Sequence, residues 1–248
     1  MSYYKVLEIA KSEVGYLEKA SNNMLESKTG NAGFNNYTKY GKDMGCNGDF
    51  WCDAFVDWCF LKAYGKEKAK KLLGGFSNYT PTSAQYFKNM GRYFKSPKVG
   101  DIIFFKNNTR ICHTGIVYKV TGERVYTIEG NTSSEAGVIR NGGSVAYKSY
   151  DLSNSRIAGY GRPDYSIVPD NIVKSEDIKS VKVKSKIQTI SELNLRDKPS
   201  LNGNIITVLK KGHKCTVKDI QSGWGKVSII SNKKTYTGWI SLKYVKEV

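Results

Sequence analysis

Histidine is nearly missing from this chain: 248 residues carry two, His113 and His213. Acidic residues are scarce as well, 22 Asp and Glu against 39 Lys and Arg, for a formal charge of +17. A charge of that size implies an anionic partner: nucleic acid, anionic lipid, or a wall polymer rich in phosphate and carboxylate. No helix of clustered Arg and no interleaved basic–aromatic run is present, so nucleic acid is not the expected partner. Five cysteines without a C-x-x-C spacing exclude a disulfide framework and a zinc site of usual intervals. Their odd number leaves at least one thiol free in a monomer, the expected state. No apolar run approaches membrane-spanning length, so no transmembrane segment is expected. The start, Met1 to Lys11, sets charges inside its apolar stretch and reads as an amphipathic helix rather than a secretory signal. Synthesis in the cytoplasm, with outside help for any export, is the expectation.

Aromatic residues make up 12% of the chain, so a sizeable core is available. Residues 3–18 read as a helix, with Val6, Ala10 and Val14 on one stripe. Residues 27–49 are rich in Gly, Asn and Tyr; Phe34, Tyr37 and Tyr40 argue for an ordered loop lining a cleft. A helix then opens at Cys52, because Cys52, Phe55, Val56, Cys59 and Phe60 fall at i, i+3, i+4, i+7 and i+8, with Asp49 as the expected N-cap. Short helices follow at Lys66–Leu73 and Thr82–Met90. The period then changes to strands at Ile102–Phe105, His113–Val120 and Val125–Glu129, with Ile157–Tyr160 expected to close the sheet. Asn141-Gly142-Gly143 predicts a hairpin joining Val138–Ile139 to Val145–Tyr147. Helices first and antiparallel strands afterwards give an α+β class. Residues 164–183 read as a linker. From 184 onward, short strands spaced near ten residues with Gly-bearing turns predict a small β-barrel. That segment holds 13 Lys or Arg against 4 Asp or Glu, so +9 of the charge lies there. The expected domains are therefore 1–163 and 184–248.

Two readings of Cys52 are open on its helix alone. Free cysteines are usually small apolar core residues, but a cysteine in the first turn of a helix lies at the positive end of the dipole, which favours thiolate. Nucleophilic catalysis needs a base within hydrogen-bond reach and a third group to orient it. His113 is the sole histidine of the first domain, since His213 lies in a turn of the small barrel. Strand parity supplies the orienting group. With a three-residue turn Gly122-Glu123-Arg124, Val117 faces Glu129, Gly115 faces Asn131, and His113, Glu129 and Asn131 share one face. A two-residue turn alone would send Glu129 to the opposite face, so a three-residue turn or a bulge is predicted. Cys52 is then expected at solvent in the cleft and Cys59 in the core.

The blocks Trp51–Cys59, His113-Thr114-Gly115-Ile116-Val117 and Ile128-Glu129-Gly130-Asn131-Thr132 together resemble the signature of CHAP domains, the cysteine, histidine-dependent amidohydrolases/peptidases. The similarity covers about residues 1–163. It implies a papain-like fold and cleavage of amide bonds in bacterial peptidoglycan, as an N-acetylmuramoyl-L-alanine amidase or an endopeptidase. It carries the nucleophile onto Cys52, the base onto His113, and the orienting groups onto Glu129 and Asn131. Some members bind calcium before the cysteine, but Asp43, Asn47 and Asp49 lack the repeated Asp spacing of a calcium loop, so no metal or other cofactor is expected. From Val183 onward the chain is similar to bacterial SH3 domains through Leu193-Asn194-Leu195-Arg196, the Gly212 turn, Gly223–Val227 and Gly238-Trp239-Ile240. Such domains commonly bind cell-wall peptides or glycans. Trp224, Tyr236, Trp239 and Tyr244 could line a groove, although the two tryptophans read first as core. The pair of resemblances implies an endolysin of phage or prophage type. The alternatives are a transferase using the same thiol and a non-catalytic wall-binding or adhesion protein.

Overall fold

A computed structural model describes residues 3–168, 181–200, 203–231 and 234–248. The chain divides into two compact units, Met1–Pro169 and Asp170–Val248. Most of the expected linker 164–183 lies outside the described residues, and its two described ends are built into their units. Tyr165 packs on the first core and donates from its hydroxyl to Gly100 O at 2.7 Å, while Val181 belongs to the second core.

The first unit has helices α1 (Tyr3–Glu13), α2 (Lys39–Met44), α3 (Cys52–Tyr64), α4 (Lys66–Leu73) and α5 (Thr80–Asn89). They precede strands β1 (Tyr93–Phe94), β2 (Ile102–Lys106), β3 (Ile111–Val120), β4 (Arg124–Thr132), β5 (Ser144–Asp151) and β6 (Ile157–Gly161). The strands form one antiparallel sheet in the order β1-β6-β2-β3-β4-β5, so the class is α+β as expected. Both faces of the sheet are covered, which is why β2 reads as a continuous apolar run. Ile102 and Phe104 face the helical core with Phe55, Phe60 and Ile128; Ile103 and Phe105 face a second cluster with Val117, Val125 and Tyr150. The α3 helix is buried almost all round, its stripe of apolar residues joined by Ala54, Trp58 and two carboxylates, Asp53 and Asp57.

Four local expectations change. Helix α1 ends at Glu13 because Gly15 turns at φ 87° and residues 15–18 leave to pair with the start of β5, through Gly15 N to Val145 O and Glu18 N to Gly143 O. That pairing occupies the edge of β5 that Val138–Ile139 would need, so those two residues form no strand and β5 pairs directly with β4. Asp49 does not cap α3: Trp51 stands at the N-cap with no side-chain cap bond, and its carbonyl accepts the first helical bond from Phe55 N. Helix α5 starts two residues early, at Thr80, since Pro81 suits a first turn whose N–H groups need no helical partner. The loop 27–49 is ordered and contains α2, capped by Thr38 Oγ1 on Gly41 N at 2.9 Å.

The second unit contains β7 (Lys186–Thr189), β8 (Leu193–Arg196), β9 (Ile205–Leu209), β10 (Lys214–Gln221), β11 (Trp224–Ser231), β12 (Lys234–Ser241) and β13 (Val245–Glu247). They are hydrogen-bonded in the order β13-β7-β10-β11-β12-β8-β9. Alternate residues Ile187, Leu195, Val217, Val227 and Ile240 supply its core.

Candidate active site

The register of β3 against β4 decides what His113 can touch. Val120 pairs with Val125 and Lys119 with Tyr126, so the turn is the two-residue Gly122-Glu123, not a three-residue one. A bulge at Tyr118 then inserts one residue, and Val117 pairs with Thr127. The bulge restores the parity that the shorter turn would have lost. His113 and Glu129 therefore share a face, and His113 Nε2 lies 2.8 Å from Glu129 Oε2 with both side chains fully buried. Gly115 lies between them on that face. A Cβ there would come 2.4 Å from Glu129 Cγ, so only glycine leaves the carboxylate room to cross to the ring.

Glu129 is held from two further sides. Thr127 Oγ1 donates to Oε1 at 2.5 Å and the Tyr150 hydroxyl donates to Oε2 at 3.1 Å. Phe105 packs against both the His113 ring and the Tyr150 ring, at centroid distances of 5.9 and 4.7 Å. With Glu129 accepting, Nε2 carries the ring proton and Nδ1 keeps its lone pair. Among the described residues, Nδ1 is buried and has no hydrogen-bond partner. The ring is therefore fixed in orientation and tautomer with one basic nitrogen unused.

Cys52 opens α3, and the backbone N–H groups of Asp53 and Thr114, the latter the residue after His113, lie near enough to its sulfur to favour its ionised form. The start of the helix thereby lies against β3 beside the histidine. Gly130 closes the other side: a Cβ there would meet Phe55 Cβ at 2.5 Å, so β4 presses flat on the first turns of α3. The two expectations for Cys52 resolve differently. Its helix-start position holds, but it is 6% exposed rather than open at the cleft. Burial pushes its thiol up to about 12, helped by the Asp53 charge and, last, by Glu129, against the two N–H groups. Burial thus outweighs the N–H groups, the one at the helix start included. Cys59 is fully buried, as expected of a core thiol.

Asn131 is placed differently from its expected role. It adopts φ 53°, donates through Nδ2 to Asn36 Oδ1 at 3.2 Å and accepts Gly143 N on Oδ1 at 3.4 Å. It joins the 27–49 loop to the start of β5, and Glu129 alone of the two expected groups bonds the histidine. Thr127 and Tyr150 were not singled out from sequence. Thr127 was within reach of strand alternation, two residues before Glu129 on one face, whereas Tyr150 requires the β4–β5 register. Asp43 accepts from Trp58 Nε1 and pairs with Lys62, both at 2.9 Å, while Asn47 Oδ1 accepts Thr38 N. Among the described residues, no three His, Cys, Asp or Glu side chains converge on a metal position.

Asp53 and Asp57 lie one turn apart on α3, both buried. Ser83 Oγ donates to Asp53 at 2.7 Å and Ser77 N to Asp57 at 2.9 Å. Burial raises the Asp53 carboxyl to about 7, against the Ser83 bond. Burial and then the Asp53 charge raise Asp57 well above the carboxylate range.

In the second unit, Trp239 is buried with Lys226 Nζ 5.8 Å from its ring, and Tyr236 and Tyr244 pack against the core. Trp224 is half-buried. His213 sits in that unit, half-buried in its turn, with its backbone N–H bonded to Thr189 Oγ1.

Comparison with known proteins gives two family matches: residues 41–131 match the CHAP domain and residues 191–246 the bacterial SH3 domain. No curated protein matches the chain. Among solved structures, the crystal structure of Ly7917 aligns over 100% of this chain and 98% of that one, at 14% identity and a TM-score of 0.44. The crystal structure of Ly7917 with the hydrolyzing product of MDP aligns over 99% and 97%, at 13% identity and a TM-score of 0.42. Both alignments are too loose to bear on the chemistry of this chain.

Proposed function

We propose, from a chain in which a CHAP domain precedes a bacterial SH3 domain, that this protein is a peptidoglycan hydrolase using Cys52 as nucleophile. The observation that carries the reading is the His113 ring, oriented by Glu129 through Nε2 and with a bare Nδ1, on the strand whose next residue, Thr114, brings its N–H near the Cys52 sulfur. His113 Nδ1 takes the Cys52 proton, and the thiolate attacks the carbonyl of an amide in the wall. The tetrahedral oxyanion is met by N–H groups at the start of α3, a contribution of about 10²- to 10³-fold per donor in comparable sites. His113 then returns the proton to the leaving amine. Water, deprotonated by the same nitrogen, releases the thioester as a carboxylic acid.

The second unit is read as the wall anchor, its net charge of +9 over residues 184–248 suiting an anionic wall. Release through a membrane lesion, as for a phage or prophage endolysin, is the route to the wall that belongs to this reading. The test is turbidity loss and zymography on purified walls with wild type and Cys52→Ala. Clearing by wild type only supports the reading; equal clearing by Cys52→Ala removes the thiol mechanism. Wall sedimentation without clearing by wild type would instead make the protein a binding or adhesion protein. Mass spectrometry of the digest then separates the amidase, which frees the N-terminus of L-alanine, from the endopeptidase, which frees a terminus inside a stem or bridge.

A further inference from the structure

The start of β3, two residues before the histidine, forms one wall of a cleft of about 540 Å³, within the usual range of small-ligand sites. Its charged lining is Lys106, Arg110 and Arg156, and no carboxylate lines it. Among the described residues, none of the three pairs with an acidic side chain. The walls are pre-formed. Asn107 Oδ1 accepts from Thr109 N, Thr109 Oγ1 and Arg110 N, at 3.0, 2.9 and 2.8 Å, which fixes the 107–110 turn. Arg156 Nε donates to Lys106 O at 3.1 Å, and the Arg110 guanidinium lies 5.1 Å from the centroid of the half-exposed Tyr79 ring.

Lys106 and Arg110 are exposed, and the half-buried Arg156 also donates to Val138 O at 3.5 Å and to Cys112 Sγ at 3.8 Å. Three cations around one cleft without a counter-charge repel each other, so an anion is the ligand that relieves them. Guanidinium groups match the fork of a carboxylate or phosphate. The distance along the chain is short: Ile111 begins β3, and His113 stands two residues on, about 7 Å along a strand. The other side is tied to α5, since Thr80 Oγ1 donates to Ile111 O at 3.2 Å.

We propose that this cleft is an anion subsite of the active site, taking a carboxylate or phosphate of the wall polymer whose amide bond is presented to Cys52. The proposal rests on the hydrolase reading. Two sources carry that chemistry: a free carboxylate of the stem peptide, and the phosphates of a polymer attached to the wall. Kinetics on intact walls and on walls stripped of attached phosphate polymer distinguish them. The double variant Lys106→Gln/Arg110→Gln is expected to raise KM about tenfold, with kcat within about twofold, on at least one of the two preparations. A rise on both assigns the carboxylate; a rise on intact walls only assigns the phosphate. Unchanged KM on both overturns the proposal, and so does a loss confined to kcat. Arg110→Lys in the Lys106 background should recover part of the KM. If wild type cleaves neither preparation, the hydrolase reading fails and the subsite is judged by binding alone. Full-length Cys52→Ala titrated with inorganic phosphate should then show saturable amide shifts at 106–111 and 155–156 that disappear in the Lys106→Gln/Arg110→Gln background. Absence of shifts at millimolar phosphate overturns it.

Discussion

Gly115 faces Glu129 across the β3–β4 ladder, where an added methyl group would stand 2.4 Å from the Glu129 Cγ. Gly115→Ala must displace that carboxylate or bend the ladder, a kind of overpacking that costs about 1–3 kcal/mol. Wall hydrolysis by Gly115→Ala is expected to fall at least about tenfold, with an unfolding midpoint lowered only modestly; unchanged turnover in a folded variant would mean that Glu129 does not position the base. Glu129→Gln keeps the size but removes the charge that fixes the Nε2–H tautomer. Its kcat should drop about 10²-fold or more with KM little changed. At this scale parity on a strand was enough to put His113 and Glu129 together. The route was not legible, because a three-residue turn and a two-residue turn with a bulge give the same face. Tyr118 is the extra residue, and nothing local to its sequence marks it. Asn131 was grouped with Glu129 by the same parity, but its left-handed backbone turns its amide to Asn36 instead.

Helix α3 opens with Cys52, the nucleophile proposed above, and also carries two carboxylates that fold into the interior. Asp53 is raised from 3.8 to about 7 by burial, so the folded state holds its proton more tightly than the unfolded chain. A raised carboxyl contributes stability that is complete below its unfolded pKa and is lost as pH climbs through the folded one. The wild-type midpoint should therefore decline between about pH 4 and pH 7 relative to Asp53→Asn, in which that slope is flattened. A gap that narrows by at least about 3 °C across the window, about 1 kcal/mol for a chain of this size, is the expected outcome. Thermal melts at pH 4.5 and 7.5 measure it; parallel pH dependence in the two proteins would show that the carboxyl stays solvated. The helix itself was legible from its apolar spacing, and its start at Cys52 was correct. What spacing could not reveal is that Asp53 and Asp57 are buried as well, since that depends on α5 and the segment around Ser77 closing over the polar side.

Across the whole molecule the charge of +17 is shared almost evenly, +9 on residues 184–248 and +8 on the rest. The histidine–carboxylate pair lies in the first unit. If the second unit anchors the protein by charge, retention of full-length Cys52→Ala on walls should fall as salt rises from about 0.05 M to about 0.5 M, where the screening length shrinks from roughly 14 Å to roughly 4 Å. Retention independent of salt would point to recognition by packed aromatic groups instead. The order of elements, helices before strands in the first unit and short strands in the second, was legible from the change of period alone.

The sequence by itself determined the α+β class, the helix that opens at Cys52 and the identity of the one histidine available to it. Those follow from periodicity and from scarcity, and neither needs a distant contact. The tertiary structure decided the rest. It buried Cys52, clamped Glu129 between Thr127 and Tyr150, tied Asn131 to Asn36, and set three cations around one cleft at the start of β3. Each of these depends on what segments far apart in the chain place around a group, and desolvation and charge pairing are set by that surrounding, which no local pattern encodes.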